Sequence, residues 1–278
     1  MEILVILRNL YNNPDPFEGE KLLSDSDINA LTEACQLRDA LLGGAEVTAL
    51  LISESQADSE AILKKAASYG ADKVIYAPCD GFDFSDANTF GRLIAELIKD
   101  LSPSPDLVFF GRLAYDGDSV NIATQTAENL EWHRAIYSEE ILKVSVPSTA
   151  VAGNSSTICE QVGAVTYKKA AGDGSLSTIR IPLPAVVHTV RKGGLRGQAK
   201  IADIIRAYGK TQVEYVDEGT MEEAVKKALL GPSLPTPIQE IPPYVNKGEM
   251  IDLKGVSDVD TAANIIETLK QLGFEPKE

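Results

Sequence analysis

Positive charge is scarce in this chain: 26 lysines and arginines stand against 41 aspartates and glutamates, a formal net charge of −15 over 278 residues. A nucleic-acid binder gathers cations on one face to neutralise phosphates, so this balance argues against a broad nucleic-acid footprint. Cysteine and histidine are scarcer still. Cys35, Cys79 and Cys159 lie far apart without a CxxC pair, and His133 and His188 complete no zinc-ligand spacing with them. No metal site is expected, and the cysteine usage fits a reducing compartment. No apolar run approaches about 18 residues, and the chain opens on the strand-like MEILVIL instead of a leader pattern. Membrane insertion is therefore not expected, and the expected location is the cytoplasm. There is no GxxxxGK[ST], no GxGxxG after the first strand and no GxSxG, which removes most of the weight from P-loop, hydride-transfer and hydrolase readings.

What is present is alternation. Apolar runs at ILVIL (3–7), VTALLI, KVIYA and DLVFF read as strands covered on both faces. Between them lie helical patterns: one from near Ser26 with Ile28, Leu31 and Cys35 on a stripe, and one capped by Ser55 or Ser59 that carries Ile62, Ala66 and Tyr69. A third helix has Phe90, Leu93, Ile94, Leu97, Ile98 and Leu101 at spacings of three and four, with Ser85 as its expected cap. Strand and helix so alternating to about residue 130 predict an α/β fold with a doubly wound, mostly parallel, Rossmann-like sheet. From about 135 to 190 the pieces STAVA, TICEQVGAVTYKK and PAVVHTV look like antiparallel strands adding a flap, followed by a short helix over 199–208. Two domains are expected, an α/β domain over 1–208 and a C-terminal arm over 209–278. In the arm the proline-rich 232–245 runs extended and a terminal helix lies within 257–273.

The stretch GRLAYDGDSVNI, residues 111–122, sits where the fourth strand gives way to a helix. Ligands of open α/β sheets collect beyond the carboxyl ends of the strands, and the unpaired amides of a helix start make an anion seat. Ser119, Val120, Asn121 and Ile122 are placed to offer such amides. A phosphate there gains roughly 1.5–3 kcal/mol per charge-assisted hydrogen bond. A carboxylate about 6 Å from it, at an effective dielectric near 20, costs on the order of 3 kcal/mol. Asp116 and Asp118 must then point away, accept from a ribose hydroxyl or cap loop amides, while Gly117 lets the backbone turn closely. Two plainer readings compete: an ordinary Asp-Gly loop, and a magnesium site lacking further acidic ligands.

FFGRLAYDGDSVNIATQTAENL resembles the Gly-(Lys/Arg)-Gln-Ala-x-Asp-Gly-Asp signature of the electron-transfer flavoprotein β subunits, with Leu113 in place of the glutamine. ILVILRNL, ALTEACQLRD, GAEVTALLI, ASYGADKVIY, LPAVVHTV, KIADIIRA and VSDVDTAANIIETLKQLGF support it collinearly over nearly the whole chain. The resemblance implies an adenine-nucleotide-binding α/β domain paired in a heterodimer with an α subunit that holds the redox-active FAD. Electrons come from a dehydrogenase, of the acyl-CoA type, and pass onward. This chain would hold AMP, or a second FAD in members that bifurcate electrons from NADH. Carried over position by position, the nucleotide touches Ile6, Ser24, Asp25, Ser26 and Asp27, Ser53 and Glu54, and Gly111, Arg112, Asp116, Gly117, Asp118, Ser119, Val120, Asn121 and Ile122. Leu195, Arg196 and Ile201 fall in the partner-docking segment, with Ile201 where the family places an anchoring leucine. SDSD (24–27) replaces the family's Asn-Pro, RNLYNNPDP its Lys-x-Val-Pro-Asp, and RKGGLRGQAKIAD follows His188 without its Pro-Arg-Tyr.

The alternative is a stand-alone adenine-nucleotide-binding hydrolase or sensor on a related α/β fold, which leaves the flap and docking segment without a task. Cys35 is expected in the core, Cys79 in a more exposed loop, His188 in a structural role, and Trp132 in packing rather than flavin stacking.

Overall fold

The computed structural model describes residues 1–8, 23–41, 44–53, 56–84, 86–114, 117–118, 120–145, 148–151, 158–161, 163–171, 174–190, 199–231, 262–263, 265–267 and 270. Met1–Pro235 form one compact unit and Thr236–Glu278 a second. The first unit opens with β1 (Glu2–Arg8), α1 (Asp25–Ala40), β2 (Glu46–Ser53), α2 (Gln56–Ser68), β3 (Lys73–Pro78), α3 (Ala87–Asp100) and β4 (Leu107–Gly111). Two short pieces, β5 (Leu113–Ala114) and β6 (Gly117–Asp118), precede α4 (Val120–Leu130). Then come β7 (His133–Ser145), β8 (Ser148–Val151), β9 (Ile158–Gln161), β10 (Ala164–Ala170), β11 (Leu176–Pro182) and β12 (Ala185–Thr189). The series closes with α5 (Ile201–Gly209), β13 (Val213–Tyr215) and α6 (Glu218–Leu230).

The main sheet has the order β11-β10-β7-β12-β4-β1-β2-β3-β13. Pairing is parallel from β7 through β13, while β10 pairs antiparallel with both β7 and β11. The mostly parallel α/β fold read from the alternation is thus the observed one. Its strands are apolar on both faces because helices cover both. Ile3, Val5 and Leu7 face the layer of α1 and α2, whereas Leu4 and Ile6 face that of α3, α4 and α6. Phe90, Leu93, Ile94, Leu97 and Ile98 of α3 are each at most 2% exposed. At roughly 1.5–3 kcal/mol per buried side chain, that stripe is among the main contributors to the second layer.

Several local expectations change. PAVVHTV is not part of an antiparallel flap: β12 inserts parallel between β4 and β7, and all five of its residues are buried. Its His188 and Thr189 gave it an alternating look, but both are enclosed. Asp86, not Ser85, caps α3, accepting from the Asn88 amide at 3.0 Å. Ser59 lies inside α2 rather than at its cap, its Oγ 2.9 Å from that of Ser53. Cys79 is 4% exposed, in the core and not in an open loop. Residues 213–230, expected within the arm, instead belong to the first unit: β13 lies along β3, and Met221, Ala224 and Ala228 of α6 pack in the α3 layer. Of the terminal helix, 262–263, 265–267 and 270 are helical, and the proline-rich 232–245 lies outside the described residues.

Candidate functional site

From β1 the sheet grows outward through β2 and β3, and then β4 returns to the other flank of β1. The carboxyl ends of β1 and β4 therefore border the point where successive connections diverge, the place where open α/β sheets bind ligands. Ile6 stands beside Phe110 on one side and Leu50 on the other, fully buried, so its side chain serves the core and only its backbone belongs to the strand-end region. Two residues on, Arg8 ends the strand.

Over these ends sits the start of α1. Ser24 is its N-cap, and its Oγ accepts from the Asp27 amide at 3.0 Å. In a capping box the acidic side chain three residues on would reach back to the cap amide. Asp27 instead turns to Arg8, with Oδ1 3.1 Å from Nη2 and Oδ2 accepting from the Arg8 amide at 3.3 Å. Both side chains are essentially closed from solvent. Removing either charge alone would leave the other buried and unpaired, a loss of about 3–5 kcal/mol. Arg8 Nη2 also donates to the Gly111 carbonyl at 3.1 Å, tying β1 to the end of β4. Ser26 is buried as well, and Asp25 is half-buried.

Gly111 must lack a side chain here. A Cβ built on it would meet the Ser26 carbonyl carbon at 2.5 Å and Asp27 Oδ1 at 2.7 Å, so α1 docks on bare β4 backbone. Beyond it the chain folds into a small hairpin in which Leu113 pairs with Asp118 and Ala114 with Gly117. Val120, Asn121 and Ile122 form the first turn of α4: Asn121 is exposed, Val120 half-buried and Ile122 buried in the core. Asp116, Ser119 and Glu54 lie outside the described residues, as do Leu195 and Arg196.

Arg112 places its guanidinium over the Tyr137 ring, 5.3 Å from the centroid. That ring meets His188 edge-on at 5.3 Å, which accounts for the buried histidine as a packing partner. Tyr137 has φ +58, where the β7–β12 register shifts between Val187 and Thr189. Such a bulge at a strand end re-aims a side chain. Trp132 is partly buried against the α3 and α4 core, in the packing role.

Ser53 at the end of β2 is occupied by the protein itself. Its carbonyl accepts from the Tyr76 hydroxyl and the Cys79 amide, both at 3.1 Å, and its hydroxyl meets Ser59. The Gly70-Ala71-Asp72 motif is likewise structural: Gly70 turns at φ +118, and Asp72 accepts from Arg38 and from the Val47 amide at 2.9 Å. The structure thus brings Ser24, Ser26, Asp27 and Gly111 to one corner, with α4 beginning at Val120, and leaves Ser53 one strand away. Ile201 is far from burial, at 77% exposed at the first position of α5. Arg8 and Tyr137 were not among the expected site residues. A lone cation closing the apolar run ILVILR was a usable signal for the first, whereas nothing in the sequence announces a left-handed tyrosine.

The family model described as the electron transfer flavoprotein domain matches residues 18–217, most of the chain and all of this corner except β1. The chain belongs to the electron transfer flavoprotein family, with the β subunits. An electron transfer flavoprotein subunit beta of Clostridium acetobutylicum is 26% identical over 289 residues, covering 98% of each chain. Protein FixA of Sinorhizobium fredii is 24% identical over 255 residues, 89% of this chain and 82% of its own. An acryloyl-CoA reductase electron transfer subunit gamma of Anaerotignum propionicum is 31% identical over 123 residues, 44% and 45% of the two chains. The family points to an electron carrier subunit, and the hydrolase or sensor reading is not favoured. Among the described residues no helix of this flavoprotein subunit is long and apolar enough to cross a membrane.

Proposed function

We propose that this chain holds an adenine nucleotide, AMP or a second FAD, over the ends of β1 and β4, and pairs with an electron-transfer flavoprotein α subunit carrying the redox FAD. The observation that supports this reading is the close approach of Gly111 to Ser26 and Asp27 of α1 at the carboxyl ends of β1 and β4, with α4 beginning at Val120. The corner suits an adenylate. Its buried carboxylate, Asp27, is neutralised by Arg8, so the repulsion a phosphate would meet from it is offset, and Arg112 adds a cation at the mouth. Amides of Asn121 and Ile122 in the first turn of α4 would supply fixed donors without a mobile counter-ion. Bound flavin supplies the electron-accepting ring; the protein's own part is to hold the phosphate, exclude water and fix the distance to a neighbouring carrier.

The electron donor would be a dehydrogenase of the acyl-CoA type, a reading supported by the Anaerotignum relative, whose name ties it to an acryloyl-CoA reductase. Docking falls to the segment with Leu195, Arg196 and Ile201, supported by the exposure of Ile201 and Ile205. The arm after Pro235 would clasp the α subunit. If the nucleotide is AMP its role is structural, and if it is FAD then NADH becomes the electron source for bifurcation. Co-expression with the α subunit, denaturation of the purified heterodimer and quantification of released FAD and AMP tests the proposal. The expected outcome is one FAD with one AMP, or two FAD; a single FAD with no adenylate in this chain defeats it.

A further inference from the structure

Arg8 is a buried arginine whose donors are only partly used. A guanidinium carries five N–H groups. Those of Nη2 reach Asp27 Oδ1 and the Gly111 carbonyl, both at 3.1 Å, whereas Nε and Nη1 are enclosed and have no hydrogen-bond partner among the described residues. Buried donors left without acceptors forfeit their hydration with nothing in return, and native proteins tolerate few of them. Arg92 gives the comparison within the same chain. It too is buried, but its Nε donates to the Ala228 carbonyl at 2.8 Å and its Nη2 to Thr89 Oγ1 at 3.0 Å, so its fork is spent on holding α6 to α3. An arginine kept solely to join β1, α1 and β4 would be expected to be satisfied in the same way.

We infer that Arg8 is a ligand-binding arginine, whose Nε and Nη1 donate to a phosphate oxygen of the nucleotide seated over the ends of β1 and β4. This rests on the adenylate reading above and adds to it a side-chain donor that neither the signature at 111–118 nor the α4 amides provide. The guanidinium lies between the two strand ends that frame the switch point and bonds the carbonyl of the residue that opens the β4–α4 connection. The Asp27 carboxylate fixes the guanidinium plane, so the donors are oriented before the ligand arrives and little side-chain freedom is lost on binding. Hydrogen bonds from a guanidinium are shorter and stronger to a charged oxygen than to a neutral carbonyl, which favours phosphate as the acceptor of Nε and Nη1.

The test uses the full chain with AMP as the probe. Calorimetry gives the affinity, and NMR with 15N in the arginine side chains follows the Arg8 N–H signals, assigned by their loss in Arg8→Met/Asp27→Asn. That double variant removes both buried charges while keeping an acceptor for the residue-8 amide. On binding AMP, the Arg8 N–H protons should move downfield, and the double variant should bind roughly 10- to 100-fold more weakly than the parent. Arg8→Lys, which keeps the charge but loses the planar fork, should recover only part of that loss. If AMP binds the parent while the Arg8 signals stay in place, the inference falls and the adenylate reading stands. If neither AMP nor FAD binds the parent, both fall. Should the double variant fail to fold, loss of the signals in Arg8→Lys supplies the assignment and the parent's NMR response decides.

Discussion

Two helices of this chain carry strong apolar stripes and meet opposite fates. In α3, Phe90, Leu93, Ile94, Leu97 and Ile98 all vanish beneath the sheet and α4. In α5, Ile201 is 77% exposed, Ile205 68% and Tyr208 60%, and among its described residues only Ala207 is fully buried, in the layer of α1 and α2. Periodicity is therefore only half of the information. It says that a face seeks apolar contact, not whether the contact lies in the same chain. The two stripes differ in where they point, since α3 completes the fold and α5 turns Ile201, Ile205 and Tyr208 to solvent.

The sharpest break of that contrast is Leu93→Ala. Leu93 is wholly buried, so the loss of its contacts together with the cavity left behind should cost about 2–5 kcal/mol. Urea unfolding reads this as a lower midpoint at an unchanged m-value, and a loss below about 1 kcal/mol would mean that the α3 layer relaxes far more than close packing permits. A smaller effect is expected at Gly111→Ala, where the added methyl runs into Ser26 backbone at 2.5 Å and α1 must lift from β4. Overpacking of this kind costs about 1–3 kcal/mol. It should also lower nucleotide content, measured on the same preparation. Lost stability with full nucleotide retention would separate the packing of α1 from the adenylate seat.

The same contrast shows what could be read in advance. The β1–β4 strands were legible because their apolar runs are continuous, and α3 and α4 because their apolar residues recur at helical spacing, while α1 and α2 have weaker stripes and stand out by alternating with those strands. The corner was legible too, since Gly111 and the α4 start follow directly from a strand meeting a helix. β12 was misread because His188 and Thr189 break its apolar run, and only the fold reveals that Tyr137 packs on one while the other donates to the Phe110 carbonyl. α6 escaped notice because its inward face uses Ala224 and Ala228, whose small side chains make a weak stripe, although Asp217 caps it as the sequence allows. Arg8 carries only a faint local signal, a lone cation closing an apolar strand. Its meaning depends on Asp27 and Gly111, nineteen and 103 positions away, brought to it by the crossing of the chain.

Cys35, on the buried side of α1, gives a pH-dependent member of the series. Desolvation pushes its thiol up to about 12 from an ordinary value of 9.0, with Arg38 opposing part of the shift. Between those values the unfolded chain ionises at this position while the folded chain keeps its proton, so folding stability falls as pH rises above 9. By pH 10 the loss attributable to this group is on the order of 1 kcal/mol. Comparing urea midpoints of the parent and Cys35→Ala at pH 8 and pH 10 isolates it: the parent should lose more than the variant. An equal loss in both would place the alkaline sensitivity elsewhere.

The smallest effect on stability belongs to Ile201→Ala, and it bears most on function. With 77% of the residue already in water, truncation should change folding stability by no more than about 0.5 kcal/mol. A stripe without a binding partner would end the matter there. If Ile201 anchors a dehydrogenase, the same truncation leaves that partner's pocket underfilled, and a central anchor costs about 1–2 kcal/mol or more on loss, roughly a tenfold weaker complex. Electron transfer from dehydrogenase to heterodimer should slow at limiting concentration while the flavin spectrum and nucleotide content stay at parental values. Leu93→Ala gives the opposite pattern, loss of fold with no selective loss of docking. A slowed transfer accompanied by a changed spectrum would assign Ile201 to the subunit interface instead, and unchanged transfer would remove α5 from the docking surface altogether.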